Sequence, residues 1–357
     1  MSSFKLVSIF LIFLASTQVL AWGGRGHAAI CEAAVFLVKE EGLKEYLQNK
    51  PQIMSHLCNI PDTHWRSIGA EANKLGAPTH FIDVEVIGLK VKDIPADYKK
   101  IIATFTGKPN QFKESSSIFS VPEEFGSSWW RADQFYRRAL NSAQNLKNSE
   151  APKNSKEEQD ENLPYNLAAY DMMINMGLMG HFVGDNSQPL HNTTDYDGYA
   201  ANHGGIHAYY EDTAVSFFDG DLTAQVLKKA RSKKKNPFEA ASSTIERMRI
   251  LSELSTNEIR EIWKLDPVTR PSSIKVEKGV SFKTPAERAG GKVGWTKFNK
   301  LIVEQLSRSA ILLAMSWDEI YVSAGRPKIT AYKSYKYPFT PDFVPPDYFD
   351  IKAAPSK

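Results

Sequence analysis

Apolar residues recur at three- and four-residue spacing in five long segments of this 357-residue chain, which is the period of a helix packed on a core. The segments are residues 27–49, 129–147, 165–184, 239–264 and 296–323. Strand-like alternation is rare, and its best candidate is Val84–Ile87. The periodicity therefore predicts an all-α fold. Because no Gly/Ser linker or internal repeat divides the chain, we expect one multi-helix domain over 22–326 and a Pro/Tyr-rich tail over 327–357.

Charge and cysteine content exclude several classes of protein. The chain has 44 basic and 41 acidic residues, a net charge of +3, which is far from the basic surplus typical of proteins that bind duplex nucleic acid through its phosphates. Two cysteines are too few for a disulfide-scaffolded miniature or a thiolate zinc module. Cys31 and Cys58 either form one disulfide or remain two buried thiols, since pairing depends on a Cα separation that sequence does not give.

The first 21 residues have the pattern of a secretory signal peptide. Lys5 precedes an apolar stretch over 6–15, and the small-residue exit Val-Leu-Ala ends immediately before Trp22. The apolar run is shorter than the roughly 20 residues that span a membrane. We therefore expect cleavage after Ala21, a secreted or periplasmic location, and a mature chain that begins at Trp22.

Histidines and carboxylates are concentrated in one stretch of the chain. His181 and Asp185 are four residues apart, which places them on one face of a helix, and His207 and Glu211 repeat that spacing. A single pair of this kind is typical of a surface ion pair. Two pairs with His191 between them offer five nitrogen and oxygen donors, the type that a catalytic zinc site uses while it keeps one position open to water. The pattern therefore predicts a metal centre.

With further residues upstream, this pattern resembles the trinuclear zinc phosphodiesterases, which include bacterial zinc-dependent phospholipase C and the single-strand nucleases/3'-nucleotidases of fungi, plants and protists. Nine positions match in order and approximate spacing: Trp22, His27, Asp62, His80, His181, Asp185, His191, His207 and Glu211. The resemblance extends from residue 22 to about residue 215. It implies an all-α fold and three zinc ions per chain.

The resemblance also implies a ligand set for each zinc. The sets are Asp62, His80, His181 and Asp185 for the first ion; His191, His207 and Glu211 for the second; and His27 with the amino group and carbonyl of Trp22 for the third, which Asp185 bridges to the first. Zinc lowers the pKa of bound water to about 7, so the implied reaction is attack of metal-activated hydroxide on a phosphodiester. Asp62 is implied to orient or deprotonate that water. Since the third set uses an amino terminus, the site would be complete only after cleavage before Trp22.

Features near the ligands point to two substrate classes. Glu211, the Gly-Asp-Asn-Ser-Gln-Pro loop and the 16-residue gap between the last two histidine ligands are closer to the phospholipases. The Trp-Gly-x-x-Gly-His start is closer to the nucleases. Phe81 and Asp83 match positions that hold a nucleobase there, and a similar His-Phe-x-Asp string also occurs in the phospholipases. We favour a secreted phospholipase C that hydrolyses the glycerol–phosphate bond. A single-strand nuclease/3'-nucleotidase with the same zinc site is the alternative.

Headgroup preference is addressed by three further positions. Arg25, Thr63 and Ala77 stand where phosphatidylcholine-selective enzymes have a carboxylate and aromatic residues around the quaternary ammonium. Strict choline selectivity is therefore not expected. Arg25 either favours an anionic headgroup near the third zinc or is a solvated surface charge. The expected partner is a phospholipid or membrane surface, alternatively single-stranded nucleic acid or nucleotides, and the sequence indicates no obligate protein partner.

The ligands His80 and His181 are 101 positions apart, more than in either family, which implies an inserted segment. This segment contains Trp129 and Trp130, which either insert into a lipid interface or belong to the core. The basic run over 228–235 either attracts anionic lipid or nucleic acid or forms a solvated helix end.

Overall fold

The computed structural model describes residues 22–113, 115–329 and 340–350. The α-helices are α1 (Gly23–Val35), α2 (Glu41–Leu47), α3 (Pro51–Asn59), α4 (His64–Ser67), α5 (Ala70–Gly76), α6 (Tyr98–Phe105), α7 (Val121–Phe125), α8 (Ser128–Asn148), α9 (Ser155–Gln159), α10 (Pro164–Ser187), α11 (Ile206–Ala208), α12 (Ala214–Ser216), α13 (Leu222–Arg231), α14 (Thr244–Thr256), α15 (Ile259–Leu265) and α16 (Gly291–Ser323). The strands are β1 (Val268–Arg270), β2 (Ser273–Glu277), β3 (Val280–Thr284) and β4 (Glu287–Arg288). Single 3₁₀ turns occur at Ala77–Thr79, Val84–Ile87, Val91–Asp93 and Pro189–Asn192, and a π-helical turn, Tyr209–Thr213, joins α11 to α12.

The described chain is mainly helical, as the periodicity predicts. The predicted helices over 129–147, 165–184 and 296–323 correspond to α8, α10 and α16. The signal peptide predicted over residues 1–21 lies outside the described residues.

Helix α10 forms the centre of the fold, with α1, α3, α8, α14 and α16 packed around it. All its residues from Met172 to Ser187 are buried, because neighbouring helices cover every side of it. Pro189 follows directly after the end of the helix and prevents its continuation. Polar groups on the second half of α10 are therefore held in the interior, where each of them requires a partner.

Cys31 of α1 and Cys58 of α3 form a disulfide, with Cα atoms 6.4 Å apart. The bridge lies against Gly180 of α10, where a Cβ atom would be 2.4 Å from Cys31 Sγ. The carbonyl of Cys58 accepts a hydrogen bond from Nδ1 of His181, the residue after Gly180, at 2.8 Å. The disulfide therefore fixes α1 and α3 directly beside the first ligand candidate on α10.

Two of the predicted helices are divided in the structure. The segment 27–49 forms α1 and α2, because the backbone N–H groups of Lys39 and Glu40 donate to the carboxylate of Asp318 at 3.0–3.1 Å instead of continuing a helix. The segment 239–264 forms α14 and α15. Side chains of α16 contact both breaks, since Asp318 accepts from Glu40 N at the first and Gln305 and Arg308 donate to Glu258 at the second, a long-range cause that local periodicity does not contain.

The best strand candidate of the sequence, Val84–Ile87, is not a strand, since these residues form a 3₁₀ turn that ends at Gly88 with φ 67°. The strands lie instead at 268–288, where β2 and β3 form an antiparallel hairpin inside the short β1–β4 pair. Lys278 and Gly279 have φ of 51° and 78°, as a two-residue hairpin turn requires. Alternating residues on both sides of this Lys-Gly pair are a sequence signal for a hairpin, which the sequence analysis missed.

Trp129 and Trp130 are core residues, with 0 % and 4 % of their surface exposed. Trp129 Nε1 donates to Asn186 Oδ1 at 3.1 Å, and Trp130 Nε1 donates to Ala96 O at 2.6 Å. Insertion of this pair into lipid is therefore wrong. Among the described helices, none is both long and apolar enough to cross a bilayer.

The basic run and the tail both pack on the helical domain. Lys229 of α13 lies 3.0 Å from Glu304 Oε2 on α16, and Lys233 pairs with the same carboxylate, as in a helix end anchored by ion pairs. Residues 340–350 run along α8 in extended form. Gln134 Nε2 donates to the carbonyl of Pro345 at 2.8 Å, and Trp65 Nε1 donates to that of Pro341 at 2.9 Å.

We predict that Gly180→Ala destabilises the protein by about 1–3 kcal/mol, because its new methyl group must displace a covalent bridge that is held at both ends. Gly290→Ala is the matched control, since a Cβ atom there meets no atom of the described residues within 4 Å, and it is expected to change stability by less than about 0.5 kcal/mol. Urea unfolding measures both free energies. Equal stability of the two variants would contradict the close contact.

Candidate metal centre

The carboxylate of Asp185 is at the centre of a buried cluster of imidazoles. Its Oδ2 lies 3.0 Å from His80 Nδ1 and 3.2 Å from His181 Nε2. Its Oδ1 lies 3.3 Å from His27 Nε2. Helix α10 supplies Asp185 and His181, α1 supplies His27, and His80 follows the 3₁₀ turn after α5. Three parts of the chain thus meet at one carboxylate, and Gly184 leaves room for His27, whose Nδ1 would be 2.7 Å from a Cβ atom there.

The donor atoms form three groups, and within each group they lie within 4.8 Å of one another. The groups are His27, His181 and Asp185; Asp62, His80 and His181; and His191, His207 and Glu211. All of these residues are buried. The structure therefore brings together every side chain that the sequence analysis named as a ligand. The first two groups share His181 and adjoin one another through Asp185.

The third group is built by the 3₁₀ turn after α10 and by the helix that starts at α11. His207 Nε2 lies 2.9 Å from Glu211 Oε2 and 3.1 Å from His191 Nε2. The π-helical turn that contains Glu211 is a local widening of the helix of the kind often found at functional sites. The backbone nitrogen of Trp22 lies 3.3 Å from Glu211 Oε2. This buried tryptophan therefore borders the third group, although the resemblance assigns it to the set of His27.

Backbone carbonyls set the orientation of three of these imidazoles. Nδ1 of His181 lies 2.8 Å from Cys58 O, Nδ1 of His191 2.7 Å from His80 O, and Nδ1 of His207 3.2 Å from Tyr196 O. A carbonyl accepts, so each Nδ1 carries the hydrogen and each Nε2 presents a lone pair to the cluster. The lone pairs of His191 and His207 therefore face each other at 3.1 Å, an arrangement that needs a cation or a proton between them.

Several buried oxygens of the cluster have no hydrogen-bond partner within the described part of the chain. They are Asp62 Oδ2, Asp185 Oδ1 and Glu211 Oε1, and the two ring nitrogens of His27 are in the same condition. An unsatisfied buried polar atom costs about 1–3 kcal/mol, more when it is charged. Each of the three groups contains such atoms. The donor set therefore fits metal ions, which would satisfy these atoms and neutralise the carboxylates.

The ionisation of the cluster shows the same need for positive charge. Burial raises the pKa of Asp185, but the charge of His181 and the hydrogen bonds of the imidazoles outweigh it and hold that pKa well below its usual range. Burial lowers the pKa of His191, but its hydrogen bond to Glu211 and the negative charges of Asp185 and Glu211 raise it to about 9. Burial dominates at His80 and lowers its pKa to about 4. The carboxylates are thus ionised, and the third group binds a proton at neutral pH when it binds no metal.

Asp62 is positioned by a residue that the sequence analysis missed. It lies at the end of the turn after α3, with Oδ1 3.7 Å from His80 Nδ1 and 2.7 Å from the guanidinium of Arg66. Burial raises the pKa of Asp62, but the charges of His181, His80 and Arg66 outweigh burial and lower this pKa below its usual value. The four-residue spacing of Asp62 and Arg66 was a signal for this pair.

The candidate substrate residues have different environments. Burial, reinforced by the charge of Glu85, raises the pKa of Asp83 well above its usual range, and Phe81 is half-buried. Arg25 donates to the backbone carbonyls of Val215 and Gly220 at 3.0 and 2.7 Å and also to that of Phe218, so its guanidinium holds the turn after α12. It is a structural residue in this geometry, not a free surface charge.

An exposed aromatic ring that the sequence analysis did not identify borders the third group. Tyr196 is half-exposed and lies edge-on to His207, with ring centroids 5.5 Å apart. His203, to which the sequence assigns no role, lies outside the three groups, with Nδ1 2.8 Å from Asp266 Oδ2. The loop between His191 and His207 thus places an exposed aromatic ring beside the third group.

No model of a known protein family matches the chain, and no curated protein sequence matches it. The identification of a metal centre therefore depends on the geometry of the cluster. Its support is the convergence of ionised, buried carboxylates with imidazole lone pairs in three adjoining groups.

We predict that Asp185→Asn lowers the metal content by about two ions per chain, because the two groups that meet at this carboxylate lose their common negative charge. Glu211→Gln removes the ion of the third group alone. Asp212→Asn is the matched control, since this exposed carboxylate is adjacent to Glu211 in sequence and lies outside the groups. Elemental mass spectrometry of the purified proteins measures the content. Equal content in all three variants would exclude the assignment.

Proposed function

We propose that the protein is an exported, zinc-dependent phosphoric ester hydrolase of the phospholipase C type. The observation that supports this is the set of three adjoining, buried His/Asp/Glu groups around Asp185. Nitrogen and oxygen donors without thiolate suit a catalytic zinc. Two nitrogens on one tetrahedral zinc lie about 3.3 Å apart, given Zn–N distances of about 2.0–2.1 Å, and the facing nitrogens of His191 and His207 are 3.1 Å apart.

The residues of the chain have distinct parts in this proposal. Bound zinc supplies positive charge for the phosphodiester and lowers the pKa of a bound water to about 7. Asp185 holds two of the groups together, since its oxygens face different imidazoles. Asp62 would hold its metal ion through Oδ1, which lies 3.7 Å from His80 Nδ1, while Oδ2, which has no hydrogen-bond partner in the described residues, would accept the proton of the attacking water. Arg66 keeps the other oxygen of Asp62 in place at 2.7 Å.

Phospholipid is the proposed substrate for two reasons. The last ligand, Glu211, is a glutamate where the nucleases usually have an aspartate, and the Gly-Asp-Asn-Ser-Gln-Pro sequence around Asp185 resembles that of the phospholipases. The nuclease alternative has support of its own in the exposed ring of Tyr196 beside His207, since an exposed aromatic ring can stack on a base. Phe81 and Asp83, the positions that the resemblance connects with a nucleobase, add to that support. The two substrate classes are distinguished by assay.

We predict that Asp62→Asn lowers the hydrolysis rate about 10²–10⁴-fold with metal still bound, because the proton acceptor is lost. The assay compares phosphatidylcholine, phosphatidylglycerol, single-stranded DNA and a 3'-mononucleotide, each with and without a chelator. Asp212→Asn serves again as the control and is expected to retain full activity. Full activity of Asp62→Asn would overturn the role of Asp62, and cleavage of the nucleic acids alone would establish the nuclease alternative.

Processing before Trp22 is the second part of the proposal. In the full-length chain the Trp22 nitrogen is a peptide N–H that lies 3.3 Å from Glu211 Oε2. Cleavage would convert it into an amine, which binds metal through its lone pair, at the border of the cluster.

We therefore predict that a form beginning at Trp22 binds about one more metal ion than a form that retains Ala21, because only a free amine is a ligand. Zinc titration by calorimetry of both forms, with their first residues verified by mass spectrometry, measures the difference. Equal stoichiometry would show that the Trp22 nitrogen is not a ligand.

A further inference from the structure

The hairpin of β2 and β3 extends from the helical domain with every residue of both strands exposed. Its four large apolar side chains, Ile274, Val276, Val280 and Phe282, have 49–65 % of their surface exposed. A two-stranded hairpin is marginally stable in water, and exposed apolar strands with free edges favour association. Such a hairpin is expected to have a partner that covers it.

The register places apolar side chains on both faces of the hairpin. Ile274 pairs with Lys283 and Val276 with Ser281, so these four side chains share one face. Phe282 pairs with Lys275 and Val280 with Glu277, and these share the opposite face. A partner that covers the apolar surface must therefore contact both faces, which a flat protein surface does not do.

The charge of the hairpin is positive. It carries three lysines, Lys275, Lys278 and Lys283, and one carboxylate, Glu277, which already pairs with Lys275 at 2.5 Å. Lys278 is at the turn itself, so it is at the point that extends farthest along the strands. Apolar side chains among lysines are complementary to a surface that combines hydrocarbon with phosphate.

The base of the hairpin is fixed next to the third donor group. Ala286 N donates to Gly204 O at 2.9 Å, and Gly204 N donates to Ser272 Oγ at 2.9 Å. Gly204 is three residues before the donor His207. Arg288 of β4 donates to Asp266 Oδ1 at 2.8 Å and to the carbonyl of Gly204 at 3.1 Å. The hairpin is therefore attached to the loop between His191 and His207.

We propose that the β2–β3 hairpin docks the protein on the surface of an anionic phospholipid bilayer. A bilayer interface surrounds an inserted tip and so contacts both of its faces. The outer edges of β2 and β3 are unpaired, so insertion stops at headgroup depth, where water and headgroups satisfy the backbone groups. The lysines then pair with lipid phosphates. Docking on the bilayer does not require catalysis. The docking proposal is connected with the proposed phospholipase function only because the bilayer would then also be the substrate.

The test measures sedimentation of the metal-loaded protein beginning at Trp22 with lipid vesicles. The vesicles consist of phosphatidylcholine, either alone or with about one-third phosphatidylglycerol by mole, which gives them a negative surface potential. The variant Val276→Ser/Phe282→Ser, which removes one apolar side chain from each face, is expected to bind anionic vesicles about tenfold more weakly or worse. Lys275→Gln/Lys278→Gln is expected to lose about tenfold on anionic vesicles only. Phe119→Ser removes an exposed apolar side chain outside the hairpin and is the matched control.

Each outcome bears on the proposal. Unchanged unfolding temperatures show that the variants are folded. Wild-type protein that does not bind vesicles, or variants that bind as the wild type does, would overturn the docking role. A change of oligomeric state in the hairpin variants would assign the hairpin to contacts between copies of the chain. Asp62→Asn separates the two proposals, since it is expected to bind vesicles like the wild type. Vesicle binding without lipid cleavage by the wild type would end the phospholipase proposal and leave the docking role intact.

Discussion

The buried carboxylate of Asp185 sets the conditions that the rest of the site has to meet. An isolated charge in the interior is very costly, and it is tolerated only with close opposite charge and hydrogen bonds. Asp185 is on the fully buried half of α10, and its two oxygens face imidazoles from three other positions in the chain. The helices that carry those imidazoles must therefore be held in place precisely, because a displaced imidazole would leave the charge uncompensated.

The packing around α10 provides that precision. Gly184 lets His27 approach the helix, and Gly180 lets the disulfide lie against it. The carbonyls of Cys58 and His80 then fix the tautomers of His181 and His191. The glycines and the disulfide thus position the helices, and the main-chain carbonyls orient the rings. Together they direct the imidazole lone pairs toward the interior of the cluster.

Local patterns were sufficient for the long helices and for four of the ligand residues, whereas the upstream ligands were named through the family resemblance. The apolar period identified α8, α10 and α16, and the four-residue spacing of His181 with Asp185 and of His207 with Glu211 identified donors that the fold does bring together. These features depend on neighbours in sequence. The β2–β3 hairpin also has a local signal, the alternation around Lys278 and Gly279, which the all-α prediction did not include.

Features that depend on distant parts of the chain were not accessible in this way. The carboxylate of Asp318 interrupts the first predicted helix from 279 positions away in sequence. Burial of Trp129 and Trp130 depends on partners such as Asn186 and Ala96. Which donors share one group depends on how α1, α3 and α10 meet, so the grouping was implied only by the family resemblance, whose set His191, His207 and Glu211 is one of the three groups.

The disulfide has a consequence for the order in which the protein matures. Thiolates bind zinc strongly, and reduced Cys31 and Cys58 would present two of them against Gly180, one residue from His181. A metal ion captured there would draw His181 away from its place in two donor groups. Oxidation of both cysteines before metal binding would remove these thiolates, so the disulfide would keep His181 available to its donor groups as well as join α1 to α3.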